Sequence, residues 1–179
     1  MMREHYADTS YLFDQLRSHP QVWDTITHRT SNPTSPHREV SDIWVRYNPI
    51  ENFDGDMMKF NAEHISQWYP VIEELPDARL LAETIAEEFE AKQLGAVLIT
   101  KIPAGKNCYP HIDQGWHARY YEKFALQVRG NHQQSFHVQE EILRTEDGDL
   151  FAFDNSYPHW VFNPSDEDRI TMIVCIRRH

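Results

Sequence analysis

Residues 148–162 read Gly148-Asp149-Leu150-Phe151-Ala152-Phe153-Asp154-Asn155-Ser156-Tyr157-Pro158-His159-Trp160-Val161-Phe162. Two short apolar runs, Leu150–Phe153 and Trp160–Phe162, flank a turn of Asp, Asn, Ser and Pro. Runs of this length between turn residues predict strands. Asp147-Gly148, just ahead, predicts a tight hairpin turn. His159 stands where turn becomes strand.

The same rhythm extends outward. Ala96–Ile102, Phe124–Val128, the alternating Phe136 and Val138, and Ile170–Ile176 all read as strands, separated by Pro103-Ala104-Gly105, Gly130-Asn131 and similar turns. Six or seven short strands across residues 95–179 predict an antiparallel sandwich or jelly roll. Residues 1–94 read differently. Asp8–Ser18 predicts a short helix with Tyr11, Leu12 and Leu16 on its apolar side. Pro76-Asp77 opens a longer one, with Leu80, Leu81, Thr84, Ile85, Glu88 and Phe89 at helical spacing, acidic residues on the other face and Gly95 just past its end. Ile43–Tyr47 could be a strand, and residues 30–37 and 52–61 read as irregular. The expected organisation is one domain over 1–179. It is mainly β with N-terminal helices: a helical and loop portion, 1–94, packs on a jelly-roll core, 95–179.

Composition narrows the function. Seventeen Lys and Arg against 28 Asp and Glu leave a formal charge of −11, which repels phosphate backbones and argues against a general nucleic-acid binder. No apolar run is long enough to span a bilayer. The opening Met1-Met2-Arg3-Glu4 lacks a signal-peptide core, and two cysteines, Cys108 and Cys175, make no disulfide framework. A cytoplasmic protein with reduced thiols is the expectation.

His111-Ile112-Asp113 is the sharpest local pattern. In an extended segment, residues two apart project from one face, so an imidazole and a carboxylate point together. His159 is the candidate third group. Two histidines and a carboxylate form the facial triad of non-heme Fe(II) oxygenases, although zinc accepts the same donors. Spacing alone leaves the two open, and a surface His–Asp pair as well. Arg169 follows His159 by ten residues. If the two begin partner strands of one hairpin, both face one cavity. A guanidinium inside a barrel is costly unless an anion meets it, and a dicarboxylic 2-oxo acid would reach from metal to arginine. A salt bridge to Asp166 or Asp168 is the plainer alternative.

These residues carry a resemblance. Leu98–Gly105, Pro110-His111-Ile112-Asp113, Gly148–Ser156, and then His159, Val161, Asn163 and Arg169 are similar to the aspartyl/asparaginyl β-hydroxylase branch of the Fe(II)/2-oxoglutarate oxygenases, over roughly Gly95 to Arg177. The resemblance implies a double-stranded β-helix, a cupin-like jelly roll, with the metal at its mouth. It implies Fe(II) on His111, Asp113 and His159, with 2-oxoglutarate and O2 as cosubstrates. The distal carboxylate of 2-oxoglutarate would lie on Arg169, helped by Thr100 where the family has serine. Lys123 matches a basic residue that contacts the metal-side carboxylate; a family histidine two residues on is Ala125 here. Asp113 fills the position some members leave to glycine, which argues against halogenation. The implied reaction hydroxylates a C–H bond of a small-molecule or peptide substrate of amino-acid type, with decarboxylation of 2-oxoglutarate to succinate and CO2.

Trp116 and Tyr120, just beyond Asp113, are candidates for substrate contact, as are Arg46 and Asn155; core packing, salt bridges and turn capping explain them as well. Two other functions fit the strands. One is a cupin-type metal enzyme that makes no use of 2-oxoglutarate, and the other is a non-catalytic jelly-roll binding module. Oligomeric state is not legible.

Overall fold

A computed structural model describes all residues, Met1–His179. Two antiparallel sheets make the framework. The larger has seven strands in the order β1-β9-β6-β11-β4-β2-β3: Met2–Arg3, Leu150–Phe153, Glu122–Arg129, Arg169–Arg177, Gln93–Ile102, Ser41–Tyr47 and Gln67–Trp68. The smaller has four, β5-β10-β7-β8: Asn107–His111, His159–Phe162, Ser135–Val138 and Glu141–Leu143. Four α-helices, α1 Ser10–Ser18, α2 Met57–Phe60, α3 Pro76–Glu88 and α4 Trp116–Tyr120, and three short 3-10 turns lie outside the sheets.

Strand periodicity sorts the core. On β11, Ile170, Met172, Val174 and Ile176 face α1 and α3, together with Phe124, Leu126 and Val128 of β6 and Val97 and Ile99 of β4. The alternate residues face the small sheet, where Ile102, Ala125 and Phe151 meet Cys108, Phe136 and Val161. The centre of the large sheet's face towards α1 and α3 is therefore apolar. The other mixes apolar residues with Thr100, Lys123, Arg169 and Thr171, and these polar residues line the space between the sheets. The jelly-roll expectation holds.

Several details differ from the sequence reading. Residues 1–94 do more than pack on a barrel, because β1 pairs with β9 and β2 pairs with β4, so this portion supplies three strands of the large sheet. Asp147-Gly148 is not a hairpin turn. The strand before it, β8, pairs with β7, and the one after it, β9, pairs with β6, so the turn carries the chain from one sheet to the other. His159 and Arg169 are not hairpin partners either. β10 lies in the small sheet and β11 in the large one, and the two side chains line the cavity between the sheets. On α3 the core face is Ala78, Ala82 and Ile85, while Leu80 is exposed; on α1, Tyr11 is exposed. Small alanines let α3 lie close to the sheet, which apolarity alone did not reveal. Gly95 falls within β4, not at a helix end, and a Cβ there would meet the Tyr121 ring at 2.7 Å.

Candidate metal centre

Pro110 tolerates its place in β5 because β5 is a sheet edge, where one row of N–H groups has no ladder partner to bond. The strand ends on His111, which pairs with His159 at the start of β10. Asp113 lies beyond the strand, and its N–H donates to Asn155 O at 3.2 Å, which pins it to the loop preceding His159. Convergence of the three groups therefore comes from two loops held together, not from alternation along one strand.

His111 Nε2 lies 3.7 Å from Asp113 Oδ1, and His159 Nε2 lies 3.8 Å from Asp113 Oδ2. One donor atom from each residue falls within 4.8 Å of the others. Each imidazole spends its Nδ1–H on a backbone carbonyl, Tyr109 O at 2.7 Å and Tyr157 O at 3.0 Å. A carbonyl only accepts, so the Nε2 lone pairs are left facing inward, the arrangement a metal requires. Burial lowers the pKa of both rings, His111 to about 4, and keeps them neutral. Burial alone would raise the Asp113 carboxyl. Lys123, which forms an ion pair with Oδ2, outweighs it and holds the group well below the usual carboxylate range. Asn155 Nδ2 also donates to Oδ2, at 3.3 Å, and to Ala118 O. Oδ1 accepts no hydrogen bond. Two neutral imidazoles and an ionised carboxylate with a free oxygen fit a divalent ion such as Fe(II). A second grouping, His37, Cys108 and His111, shares one residue with the first. Burial pushes the Cys108 thiol up to about 12, which makes it a poor thiolate and the weaker choice.

Deeper between the sheets stands Arg169. It is 3% exposed and makes no ion pair; Asp166 and Asp168 do not reach it. Its guanidinium donates to Thr171 Oγ1 at 2.9 Å and Thr145 Oγ1 at 3.2 Å, both neutral. Burial pushes its pKa down to about 10, as expected of a buried cation without a counter-charge. Thr100 lines the same cavity, but its hydroxyl bonds Asp42 and Arg29 instead of Arg169. The cavity thus runs from the three candidate ligands and Lys123, past Phe136, Phe151 and Val161, to a lone guanidinium.

The profile of the family described as Aspartyl/Asparaginyl beta-hydroxylase matches residues 50–179. The chain belongs to that family. As an aspartyl/asparaginyl β-hydroxylase family member it is an Fe(II)/2-oxoglutarate hydroxylase, and its cofactors are Fe(II), 2-oxoglutarate and O2. Comparison with curated protein sequences gives no match. Among solved structures, an oxidoreductase of the 2OG-Fe(II) oxygenase family from Burkholderia pseudomallei superposes with a TM-score of 0.56 at 12% identity, covering 99% of this chain and 93% of that one. A prolyl hydroxylase from Trichoplax adhaerens, solved with a hypoxia inducible factor oxygen degradation domain peptide fragment, gives 0.60 at 10% identity, with coverages of 99% and 83%. A Pseudomonas putida prolyl-4-hydroxylase gives 0.51 at 14%, with coverages of 100% and 92%. At such identities the likeness is one of fold. No helix of this chain is long and apolar enough to cross a membrane.

The remaining candidates of this β-hydroxylase family member lie in different places. Trp116 and Tyr120 stack on each other at 4.8 Å, and neither lines the cavities beside Asp113. From the same short helix, His117 and Ala118 do. Arg46 lines that second cavity. Asn155 serves the Asp113 carboxylate, as described. The largest surface groove, bordered by Gln21, Trp68 and Pro70, contains none of these groups.

Arg29 escaped the sequence reading, and His37 entered it only as part of an irregular loop. Arg29 forms a bidentate pair with fully buried Asp42, at 2.5 and 2.9 Å, and lines both cavities. His37 packs edge-on against His111, with centroids 4.5 Å apart. Both come from aperiodic loops, and neither sits in a motif that would single it out.

Proposed function

We propose that this protein hydroxylates a C–H bond of an amino-acid-type substrate, free, derivatised or within a peptide, and converts 2-oxoglutarate to succinate and CO2. In this reading His111, Asp113 and His159 hold Fe(II), and Arg169 receives the distal carboxylate of 2-oxoglutarate. The observation that carries it is the buried Arg169 guanidinium, free of any acid, at the far end of the cavity that the three candidate ligands open. A buried cation without a partner is strongly unfavourable, and a dicarboxylate that pairs with it offsets that cost.

Bound Fe(II) supplies the oxidative chemistry, by which O2 and 2-oxoglutarate are turned into an oxidant strong enough to break a C–H bond. The chain's residues do the rest. Tyr109 and Tyr157 carbonyls orient the imidazoles. Asn155 and Lys123 hold one oxygen of Asp113, so that the other is presented to the ion. Lys123, which lines the same cavity, would also contact the metal-side carboxylate of 2-oxoglutarate. Phe136, Phe151, Phe153 and Val161 keep water from the cavity. With Asp113 among the ligands, a coordination position that a halide would need would be filled, which disfavours halogenation in place of hydroxylation.

The test is optical. The anaerobic protein with Fe(II) and 2-oxoglutarate should show the weak visible charge-transfer band of the chelate, and His111→Ala should abolish it. Arg169→Ala should weaken 2-oxoglutarate by about 2–5 kcal/mol, since its carboxylate is left unpaired. A well-folded wild type without the band, or an Arg169→Ala protein with undiminished affinity, would overturn the reading in favour of a cupin-type enzyme or a binding module.

A further inference from the structure

A second cavity of about 210 Å³ adjoins the first. Arg29, His37, Asp113, Lys123 and Ile173 border both, so the second opens on the same carboxylate from the β2 side. Drug-sized sites span roughly 300–1,000 Å³, so this space suits a molecule of amino-acid size. Trp44, Tyr47, Leu98 and Ile173 give it an apolar wall.

Its polar groups are unusual in what they lack. Arg29 is matched by Asp42 and Lys123 by Asp113, but Arg46 makes no ion pair. One Arg46 nitrogen donates to Leu94 O at 3.2 Å, while its buried Nε–H has no partner. The buried Trp44 indole N–H has none either. His117 Nε2 accepts the Ala96 N–H at 3.2 Å, which places the ring proton on Nδ1, and Nδ1 bonds nothing in the chain. Over nine-tenths of buried polar groups in proteins find a partner, and each that does not costs about 1–3 kcal/mol. Two such donors, with the unbonded His117 Nδ1–H besides, sit on residues of one cavity and call for acceptors from a ligand. The charge points the same way. The chain carries −11, yet this cavity has three cations and one acid, Asp113, already paired.

We propose that this cavity takes the substrate, and that the substrate is a small organic anion, its carboxylate on Arg46 and a second acceptor on His117, with no free ammonium beside the carboxylate. An N-acylated amino acid has this chemistry. A free amino acid would bring its ammonium against cations with no spare acid to meet it. This inference rests on the reading given under Proposed function.

Calorimetric titration of the anaerobic Fe(II)·2-oxoglutarate protein tests it. The probes are N-acetyl derivatives of the proteinogenic amino acids, each as the acid and as the methyl ester, with the parent amino acids. At least one acid should bind about tenfold or more tighter than its ester and its parent. Arg46→Gln should remove that preference, Arg46→Lys should restore part of it, and His117→Gln should weaken the acid. Equal binding of acids and esters, tighter binding of the parents, or a preference that survives Arg46→Gln would overturn the proposal. The visible band, read on the same sample, separates the two readings. A band without acid preference sinks this proposal alone, whereas no band sinks both.

Discussion

His159 sits directly opposite His111 in the β5–β10 pair, with ring centroids 4.3 Å apart, and each ring is tethered to the carbonyl two residues before it. The pair is therefore set in orientation by backbone before any ion arrives. Removing either ring should take away a ligand and leave the other still tethered. In anaerobic Fe(II) titrations, His111→Ala and His159→Ala should each lose more than the ~10–100-fold that an outer-sphere change costs, and the double variant should be little worse than either single one. His137→Ala, whose ring stacks on Trp160 on the other side of β10, should bind as wild type. Retained affinity in either single variant would remove that histidine from the ligand set.

Asn155 acts on the acid of the set. It is 7% exposed and bonds both Asp113 Oδ2 and Ala118 O. Asn155→Ala should lower Fe(II) affinity about 10–100-fold with the fold intact by circular dichroism. Asn155→Asp should be worse, because a second carboxylate beside Asp113 raises its pKa and favours protonation. An unchanged titration curve in Asn155→Ala would show that Lys123 alone positions the carboxylate.

Acid should destabilise the metal-free fold well above the carboxylate range. Burial, with His64 and Lys123 adding to it and Asp113 opposing, lowers His117 from 6.5 to about 3, and burial lowers His111 to about 4. Between these values and 6.5 the unfolded chain binds protons that the folded chain refuses. Stability is then complete above pH 6.5 and declines as pH falls, by about 2 kcal/mol per histidine at pH 5. Urea midpoints measured from pH 7.5 to 5 should fall, and His117→Gln should flatten the slope. An equal slope in that variant would mean that His117 is protonated in the folded state.

Gly148 joins the two sheets at φ +86°, and a Cβ there would lie 2.4 Å from Ala7 O. Ala7 N–H in turn donates to Gly148 O at 3.2 Å. Gly148→Ala should therefore cost more than the roughly 1–2 kcal/mol of a left-handed residue alone, because the clash is with backbone. Thermal unfolding measures it, and a melting temperature within a degree or so of wild type would contradict the clash.

Much of the fold was legible because strands β4, β6, β9 and β11 are long or strongly apolar and have turn residues at their ends. β5 was not, because Pro110 argues against a strand until its edge position is known. The two-residue strands β1 and β3 and the five-residue helix α4 carry too few side chains for any period to show. Candidate ligands and Arg169 could be named from residue type and resemblance. Their mutual approach could not, since it depends on the Asp113–Asn155 backbone bond and on the two sheets facing each other.

The sequence by itself determined the rhythm of short antiparallel strands, the acidic surface and the residue types able to hold a ferrous ion and a dicarboxylate, because these follow from local pattern and chemistry. Only the tertiary structure decided that His159 and Arg169 come from opposite sheets, that Arg29 pairs with Asp42 and leaves Arg169 uncompensated, and that Arg46 and His117 share a cavity with Asp113. The reason is physical. Burial, ion pairing and unmet hydrogen-bond donors are properties of surroundings, and the surroundings of each of these residues are built from segments far away along the chain.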